Sequence, residues 1–300
     1  TIMAGMGVLH LDVAVNLIKD AKVDIITSEP LINYRETIAG GCEPIMAKSP
    51  NRHNKLFMKV EPLEPELAEM CRNGTLSEMK DKKEMATILR EHGWDTDTSK
   101  KVMRFDSRGN VMINGTKGVQ FIDESTDSIL SGFDDVMREG GLTKEQVRNC
   151  KFTFTHFVPH EDTAHRGLSQ LGPASRRACL GAFLSAEPML LEPMLAIEVR
   201  VPTDLIGDVA SVLQAKRGKV LDMQQKGATS IVIGEVPAVE TFDLSEKMRG
   251  QTAGKAMWNS HFKAWVPVPK SIGTTLLQEI RKRKGLSPEP PQASEFIDKE

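Results

Sequence analysis

The residues most suited to metal binding or catalysis are two histidines in the segment HEDTAH, His160 and His165. A zinc-protease helix needs histidines four residues apart, because that spacing places both side chains on one helical face beside one metal. The spacing here is five, which separates the two by roughly 140° on a helix of 3.6 residues per turn. Pro159 before the segment and Gly167 after it favour a loop. We therefore predict no metal site at these histidines.

Other catalytic arrangements are weakly supported. Ser169, His160 and Asp162 could be assembled into a Ser-His-Asp triad, but nothing in the sequence orients them. Neither the segment from Gly109 nor the one from Gly250 has the G-x4-G-K-S/T spacing of a phosphate-binding loop. We predict no catalytic residue and no cofactor in this chain. A hydrolase that uses His160, His165 and Asp162 is kept as an alternative.

Two polar loops remain as candidate binding elements. One runs from Lys48 to Lys55 between two predicted strands, and the other runs from His160 to Gln170 between a strand and a helix. Basic, histidine and amide groups at one edge of a domain suit phosphate and ribose contacts on RNA. The residues predicted to form this RNA-contacting tip are Ser49, Pro50, Asn51, Arg52, His53, Asn54, His160, Asp162, Arg166 and Gly167. The alternative is two ordinary solvated loops.

Two basic runs lie outside these loops. Arg176 and Arg177 follow the second loop, and residues 281–284 close the last predicted helix. Cations at a helix C-terminus complement the helix dipole. Contact with RNA phosphates is the rival interpretation for the second run.

The elements that must position the loops are clearest near the C-terminus. Hydrophobic patterning predicts strands at 194–201, 220–224, 229–236 and 256–266, with helices from about 203 and from 240. Their order is βαββαβ, the split-βαβ or ferredoxin-like pattern. We expect Thr203 to cap the first helix and Gly218 to end it.

The start of the chain looks like half of another such unit. A helix is predicted over 10–21 and a strand over 23–27. The strands that would precede them are missing and position 1 is Thr, so we expect the chain to begin partway through a longer protein.

The central region, 31–190, is predicted to mix strands and helices. The strands are 33–39, 44–48, 55–61 and 151–158, and the helices are 66–73, 77–92, 125–139 and one that starts at Pro173. Residues 95–118 are predicted as loop with short strands, and a last helix covers 274–284. Phe152, Phe154 and His156 should share one side of their strand. The predicted fold class is therefore multidomain α+β.

Composition excludes several classes of protein. The 300 residues carry a net charge of −2, 27% charged residues and 40% hydrophobic residues, which excludes wholesale disorder and a broadly basic nucleic-acid binder. The first residues lack the pattern of a signal peptide, and no apolar run approaches the roughly 18 residues of a membrane span. Cys42, Cys71, Cys150 and Cys179 have no zinc-ribbon or disulfide-framework spacing. We expect reduced thiols in a cytoplasmic protein.

Several segments resemble the elongation factor 2 family of archaeal and eukaryotic ribosomal translocases. The longest are SPNRHNKLFMKVEPL at 49–63, GVQFIDESTDSILSGF at 118–133 and HEDTAHRGLSQLGPASRRACLGAFLSAEPMLLEPM at 160–194. Shorter ones are GMGVLHLDV at 5–13, EPLINYRETI at 29–38, KRGKV at 216–220, IRKRKGL at 280–286 and FIDKE at 296–300. They occur in the family's order along nearly the whole chain. The chain is thus similar to the C-terminal half of this family.

The resemblance implies four parts. Residues 1–30 would be the back of the family's third domain, which is ferredoxin-like and truncated here. Residues 31–190 would be the fourth domain, related to domain 2 of ribosomal protein S5, with the tip loops. Residues 191–269 would be the ferredoxin-like fifth domain, and 270–300 a helix and tail that return to the fourth. The domain that binds GTP and Mg²⁺ would precede Thr1.

The resemblance also implies a role for the tip. In this family the fourth domain is a rigid arm whose tip enters the decoding site beside tRNA and mRNA during GTP-dependent translocation. The family's D-x-x-H-R-G pattern falls on Asp162–Gly167, which implies that His165 is converted to diphthamide. One departure is Leu168-Ser169, where the common eukaryotic form has two glycines.

The partners implied are the ribosome with its rRNA, tRNA and mRNA, the diphthamide-synthesis enzymes, and ADP-ribosylating toxins that target His165. We expect a monomer without membrane contact, and no GTPase activity from this chain. The alternatives are a paralogue with a regulatory ribosome-binding role and a protein-interaction module that needs no metal.

Overall fold

The computed structural model describes residues 3, 5, 8–28 and 30–299. The chain divides into a large unit, Tyr34–Leu191 with Pro267–Glu300, and a small unit, Thr1–Asn33 with Glu192–Val266. Helices and strands are mixed in both units, so the multidomain α+β prediction is confirmed. The segments 5–13, 29–38 and 296–300 lie partly outside the described residues.

Nineteen helices and strands are present in the described part of the chain. In order they are α1 (Val8–Asp20), β1 (Arg35–Ile38), β2 (Ile45–Lys48), β3 (Lys55–Pro62), α2 (Pro65–Arg72), α3 (Lys82–Glu91), α4 (Thr96–Lys100), β4 (Val102–Asp106), β5 (Asn110–Asn114), α5 (Ile122–Arg138), β6 (Cys150–Val158), α6 (Leu168–Ser185), β7 (Pro188–Pro202), α7 (Ile206–Ala215), β8 (Lys219–Lys226), β9 (Thr229–Pro237), α8 (Leu244–Thr252), β10 (Met257–Pro267) and α9 (Lys270–Arg283). Among them, no helix is long and apolar enough to cross a bilayer.

The large unit is built on a sheet in the order β2-β3-β6-β5-β4, antiparallel except for the parallel pair β5 and β6. Phe133 of α5 and Phe183 of α6 are fully buried together with Phe152 and Phe154 of the sheet. The helices α5 and α6 cross closely at Gly132, where an added Cβ would lie 2.5 Å from the Gly172 carbonyl oxygen. This tight packing makes the sheet and its two helices a stiff base for the loops.

Both polar loops leave the same end of this sheet. The antiparallel pairing places Lys55, the first residue of β3, opposite Val158, the last residue of β6. The loop before β3 and the loop after β6 are therefore neighbours, as the sequence predicted.

A β-bulge places His156 on the face of its strand opposite to the predicted one. The register between β3 and β6 shifts after Phe154, which leaves Thr155 as an extra residue. Because side chains alternate along a strand, one extra residue reverses the faces. His156 is consequently exposed and Phe157 is buried, so the prediction that His156 shares a side with Phe152 and Phe154 is wrong.

Two helix starts also differ from prediction. Helix α6 begins at Leu168, five residues before Pro173, and its first turn closes through the Leu171 N–H and the Gly167 carbonyl at 3.0 Å. Helix α3 begins at Lys82 because the Asp81 carboxylate accepts hydrogen bonds from the N–H groups of residues 83 and 84. In both cases the loop before the helix, rather than the apolar period, determines where it begins.

The small unit has the predicted βαββαβ order. Its strands lie in the order β8-β9-β7-β10, and the β7–β9 and β8–β9 pairs are antiparallel. The buried core has apolar residues from the sheet, from α7 and α8, and from the turn before β10: Ile197, Val199, Val201, Val209, Val212, Leu213, Val232, Val236, Leu244, Met248 and Ala256. The ferredoxin-like interpretation of this region is confirmed.

The expected ends of α7 are wrong. Thr203 begins a short 3-10 turn, and its hydroxyl donates to the Gly227 carbonyl at 3.3 Å instead of capping the helix. The left-handed residue after the helix is Arg217, with φ 52°, and not Gly218. Gly218 is required for a different reason, since a Cβ there would lie 2.7 Å from the Leu213 carbonyl oxygen.

The predicted strand over 23–27 is absent, although α1 forms as expected. A strand is stable only beside a hydrogen-bonded neighbour, and the described residues pair none with this segment. Ile26 is fully exposed as a result.

Candidate nucleic-acid interface

The first tip loop, residues 49–54, is closed by its own hydrogen bonds. The Ser49 N–H donates to the Asn54 carbonyl at 3.0 Å, and the Arg52 N–H donates to the Ser49 carbonyl at 2.7 Å. The Ser49 hydroxyl accepts the Asn54 N–H at 3.0 Å. Arg52 adopts φ 62°, the left-handed conformation that a tight turn requires. Pro50, Arg52 and His53 are exposed, whereas Ser49 and Asn54 are buried.

The second tip loop, residues 159–167, is organised by Asp162. Its carboxylate accepts the Ala164 N–H at 2.9 Å, and its carbonyl accepts the His165 N–H at 3.1 Å. These bonds form a single 3-10 turn over Thr163–His165. The side chains of Asp162 and His165 and the Gly167 backbone are exposed.

The two loops are joined at the His165 carbonyl. That oxygen accepts the Asn51 side-chain amide at 2.9 Å and the Asn54 side-chain amide at 2.8 Å. The Asn54 side-chain oxygen in turn accepts the His160 N–H at 2.9 Å, and the Asn51 N–H donates to Gln170 Oε1 at 3.0 Å. Asn51 and Asn54 of the first loop therefore form one hydrogen-bonded unit with His160 and His165 of the second.

Three imidazole rings come together on this unit. The ring of His165 lies 4.7 Å from that of His160 and 5.2 Å from that of His53, and the latter two are 5.0 Å apart, measured between centroids. His53 and His165 are exposed and His160 is half-buried. Exposed rings beside amide groups can stack on nucleobases and hydrogen-bond to ribose or phosphate.

Arg166 lies inside the domain, contrary to its predicted place on the contact surface. Its side chain is 4% exposed, its guanidinium lies 3.8 Å from the centroid of the Phe121 ring, and it pairs with Glu124 at 3.0 Å. These contacts tie the second loop to the start of α5. The buried Ser49 and Asn54 likewise position the tip instead of offering a surface to RNA.

The hydrogen bonds of His160 and Asp162 are not those of a Ser-His-Asp triad. In such a triad the histidine Nδ1–H donates to the aspartate carboxylate. Here His160 Nδ1 accepts the backbone N–H of Asp162 at 3.1 Å, while the Asp162 carboxylate is occupied by Ala164. Within the described residues no three His, Cys, Asp or Glu side chains are placed to hold a metal ion.

Two residues of the basic run at 281–284 make contacts within the large unit. Arg281 is buried and its guanidinium donates to the Leu142 and Ser287 carbonyls. The Lys284 ammonium pairs with Glu145 at 2.6 Å. Arg281 and Lys284 therefore hold the connection between α5 and β6.

The comparisons with known proteins place this geometry in a family. Residues 74–187 match domain IV of elongation factor G, and residues 189–276 match the elongation factor G C-terminus. Elongation factor 2 of Cenarchaeum symbiosum is 72% identical over 300 residues, which is the whole of this chain. The chain belongs to the elongation factor 2 family.

Other elongation factor 2 relatives match over the same length. Those of Sulfurisphaera tokodaii and Desulfurococcus amylolyticus are each 43% identical over 298 residues, or 99% of this chain. The chain spans 40–41% of the length of these relatives. The match to domain IV of elongation factor G includes the second tip loop and begins after the first.

Sequence reasoning missed the residues that support the tip from behind. Phe121 and Glu124 hold Arg166, Gln170 holds Asn51, and Asp298 contacts the strand before the first loop. Phe121 lies just before α5 and adopts φ 62°. The spacing of these residues along the sequence does not indicate which residues they contact. Membership of all four in segments shared with the elongation factor 2 family was the available clue.

Proposed function

We propose that this chain is the RNA-probing portion of a ribosomal translocase, with the tip around His165 entering the decoding site beside tRNA and mRNA. Family membership supports the proposal at the level of translation elongation. The rigid joining of two exposed loops supports it at the level of mechanism. A tip of this kind can occupy a site on RNA because it does not need to order itself on arrival.

The observation that carries the proposal is that the backbone of His165 is held in place while its side chain is exposed. Two asparagine amides fix its carbonyl, while its imidazole is exposed between His53 and His160. A backbone held this firmly with a side chain left open suits a residue that is modified and then used for contact. We propose that His165 carries diphthamide, whose trimethylammonium and amide groups would meet RNA phosphates without a metal or an acid–base step.

The remaining expectations are part of the same proposal. Residues 1–30 would belong to the third domain of the whole protein, 31–190 to the fourth, 191–269 to the fifth, and 270–300 to a tail on the fourth. GTP and Mg²⁺ would bind in a domain outside this chain. The partners would be the ribosome, the diphthamide-synthesis enzymes and ADP-ribosylating toxins, in the cytoplasm and with the protein as a monomer.

The first experiment is the mass of the peptide that contains His165, from protein made in its native host. We expect an addition of diphthamide size on His165 and none on His53 or His160, which serve as internal controls. An unmodified His165 in a host that modifies its other translocases would overturn the diphthamide proposal. It would favour a regulatory paralogue instead.

A further inference from the structure

The outer side of the edge strand β2 is covered by a segment far away in sequence, 296–299. The Asp298 N–H donates to the Met46 carbonyl at 2.9 Å, and the Lys48 N–H donates to Asp298 Oδ2 at 2.8 Å. The Lys48 ammonium donates to the Lys299 carbonyl at 2.8 Å. Strand β2 therefore has hydrogen-bond partners on both sides, although it is the outermost strand of its sheet.

The same segment is attached to helix α6. Asp298 Oδ2 lies 3.4 Å from the Arg177 guanidinium. Phe296 and Ile297 lie against Gly181, where an added Cβ would approach them at 3.4 and 3.3 Å. Because β2 precedes the first tip loop and α6 follows the second, the Asp298 carboxylate contacts both elements that lead to the tip.

The connection from Asp298 to His165 is short. Lys48 is followed directly by Ser49, whose hydroxyl accepts both the backbone N–H and the side-chain amide of Asn54. The Asn54 amide lies 2.8 Å from the His165 carbonyl. A shift of β2 at Lys48 would therefore be passed through Ser49 and Asn54 to the backbone of His165.

We infer that Asp298 is a positioning residue for the tip, because its carboxylate holds β2 and α6 in the arrangement that presents His165. The role of the tip in translocation rests on the proposed function. The mechanical claim, that Asp298 limits the motion of both tip loops, does not depend on it.

The test uses the 300-residue chain with three substitutions. Asp298→Ala removes the acceptor for the Lys48 N–H, whereas Asp298→Asn keeps an oxygen there and removes only the charge opposite Arg177. Glu295→Ala is the matched control, since this carboxylate lies in the same tail and bonds the Gln292 N–H instead of the tip elements. The readouts are hydrogen exchange in residues 49–54 and 162–167 and the NMR signals of the tip imidazoles.

In Asp298→Ala we expect the backbone amide hydrogens of both tip loops to exchange about tenfold faster, as the loss of a hydrogen bond to a charged group predicts. We also expect the NMR signals of all three imidazoles to shift. Asp298→Asn should give a smaller acceleration confined to the same loops, and Glu295→Ala should match the unsubstituted chain. Unchanged tip exchange in Asp298→Ala, or an equal acceleration in Glu295→Ala, would overturn the inference.

Two further outcomes separate this inference from the proposed function. If Asp298→Ala unfolds the large unit, the test rests on hydrogen exchange in Asp298→Asn. Faster exchange spread evenly over the large unit in that variant counts against the inference. If the tip loosens in Asp298→Ala while His165 proves unmodified in its native host, the positioning role stands and the diphthamide proposal fails.

Discussion

At His165 the backbone and the side chain have separate roles. The carbonyl is held by two asparagine amides, and the imidazole is exposed beside His53 and His160. Removal of the side chain therefore leaves the joining of the loops intact. The opposite holds for Arg166, whose buried guanidinium is part of the packing against Phe121 and Glu124.

His165→Ala should consequently leave the fold intact. An exposed side chain contributes little to packing, so we expect a melting temperature within a few degrees of the unsubstituted chain, measured by circular dichroism. A drop of more than about 8 °C, equivalent to more than roughly 2–4 kcal/mol in a unit of this size, would contradict the exposed placement of the imidazole.

At the scale of elements, the crossing of α5 and α6 determines where the second tip loop ends. The backbones approach so closely at Gly132 that its missing Cβ would lie 2.5 Å from both the Gly172 oxygen and the Arg176 nitrogen. Backbone atoms cannot rotate away as a side chain can. Any residue larger than glycine must therefore separate the two helices and displace the start of α6.

Gly132→Ala should be strongly destabilising for this reason. We expect a loss of about 1–3 kcal/mol in the free energy of unfolding, the usual result of overpacking a core, measured by urea denaturation. Gly207→Ala in α7 is the control, because nothing lies within 4 Å of its added Cβ. Alanine favours a helix over glycine, so the control should gain up to about 1 kcal/mol. Equal stability of the two variants would contradict the close crossing.

At the scale of the whole molecule, the free cysteines report on the integrity of the large unit. Cys71, Cys150 and Cys179 are buried and Cys42 is partly exposed. Burial raises the pKa of the Cys71 thiol and of the Cys179 thiol to about 12, and it raises the pKa of Cys150 and Cys42 as well. A raised thiol pKa leaves less of the reactive thiolate at neutral pH.

Iodoacetamide at pH 8 should therefore label Cys42 first in the native chain. The three buried thiols should react only when the large unit unfolds, and their labelling should become rapid in strong urea, where burial no longer raises their pKa. Peptide mass spectrometry gives the extent at each site. Labelling of Cys150 as fast as Cys42 in the native chain would show that the core opens without denaturant.

Much of the architecture follows from local pattern. The βαββαβ order of the small unit was predictable because its strands and helices each have a strong hydrophobic period. The two tip loops were predictable because in each case a polar segment follows a clear strand. The helix α4 was not, because its five residues depend on the Asp95 cap rather than on an apolar face.

Local pattern was enough to predict most of the helices and strands, the loops that carry the histidines, and the family to which the chain belongs. The directions of the side chains near the tip depend instead on contacts that form only in the folded chain. One extra residue at Thr155 turns His156 outward, and the Phe121 ring with Glu124 draws Arg166 inward. The physical reason is that burial and pairing depend on neighbours distant in sequence, as with Asp298 beside Lys48, whereas periodicity reports only on neighbours along the chain.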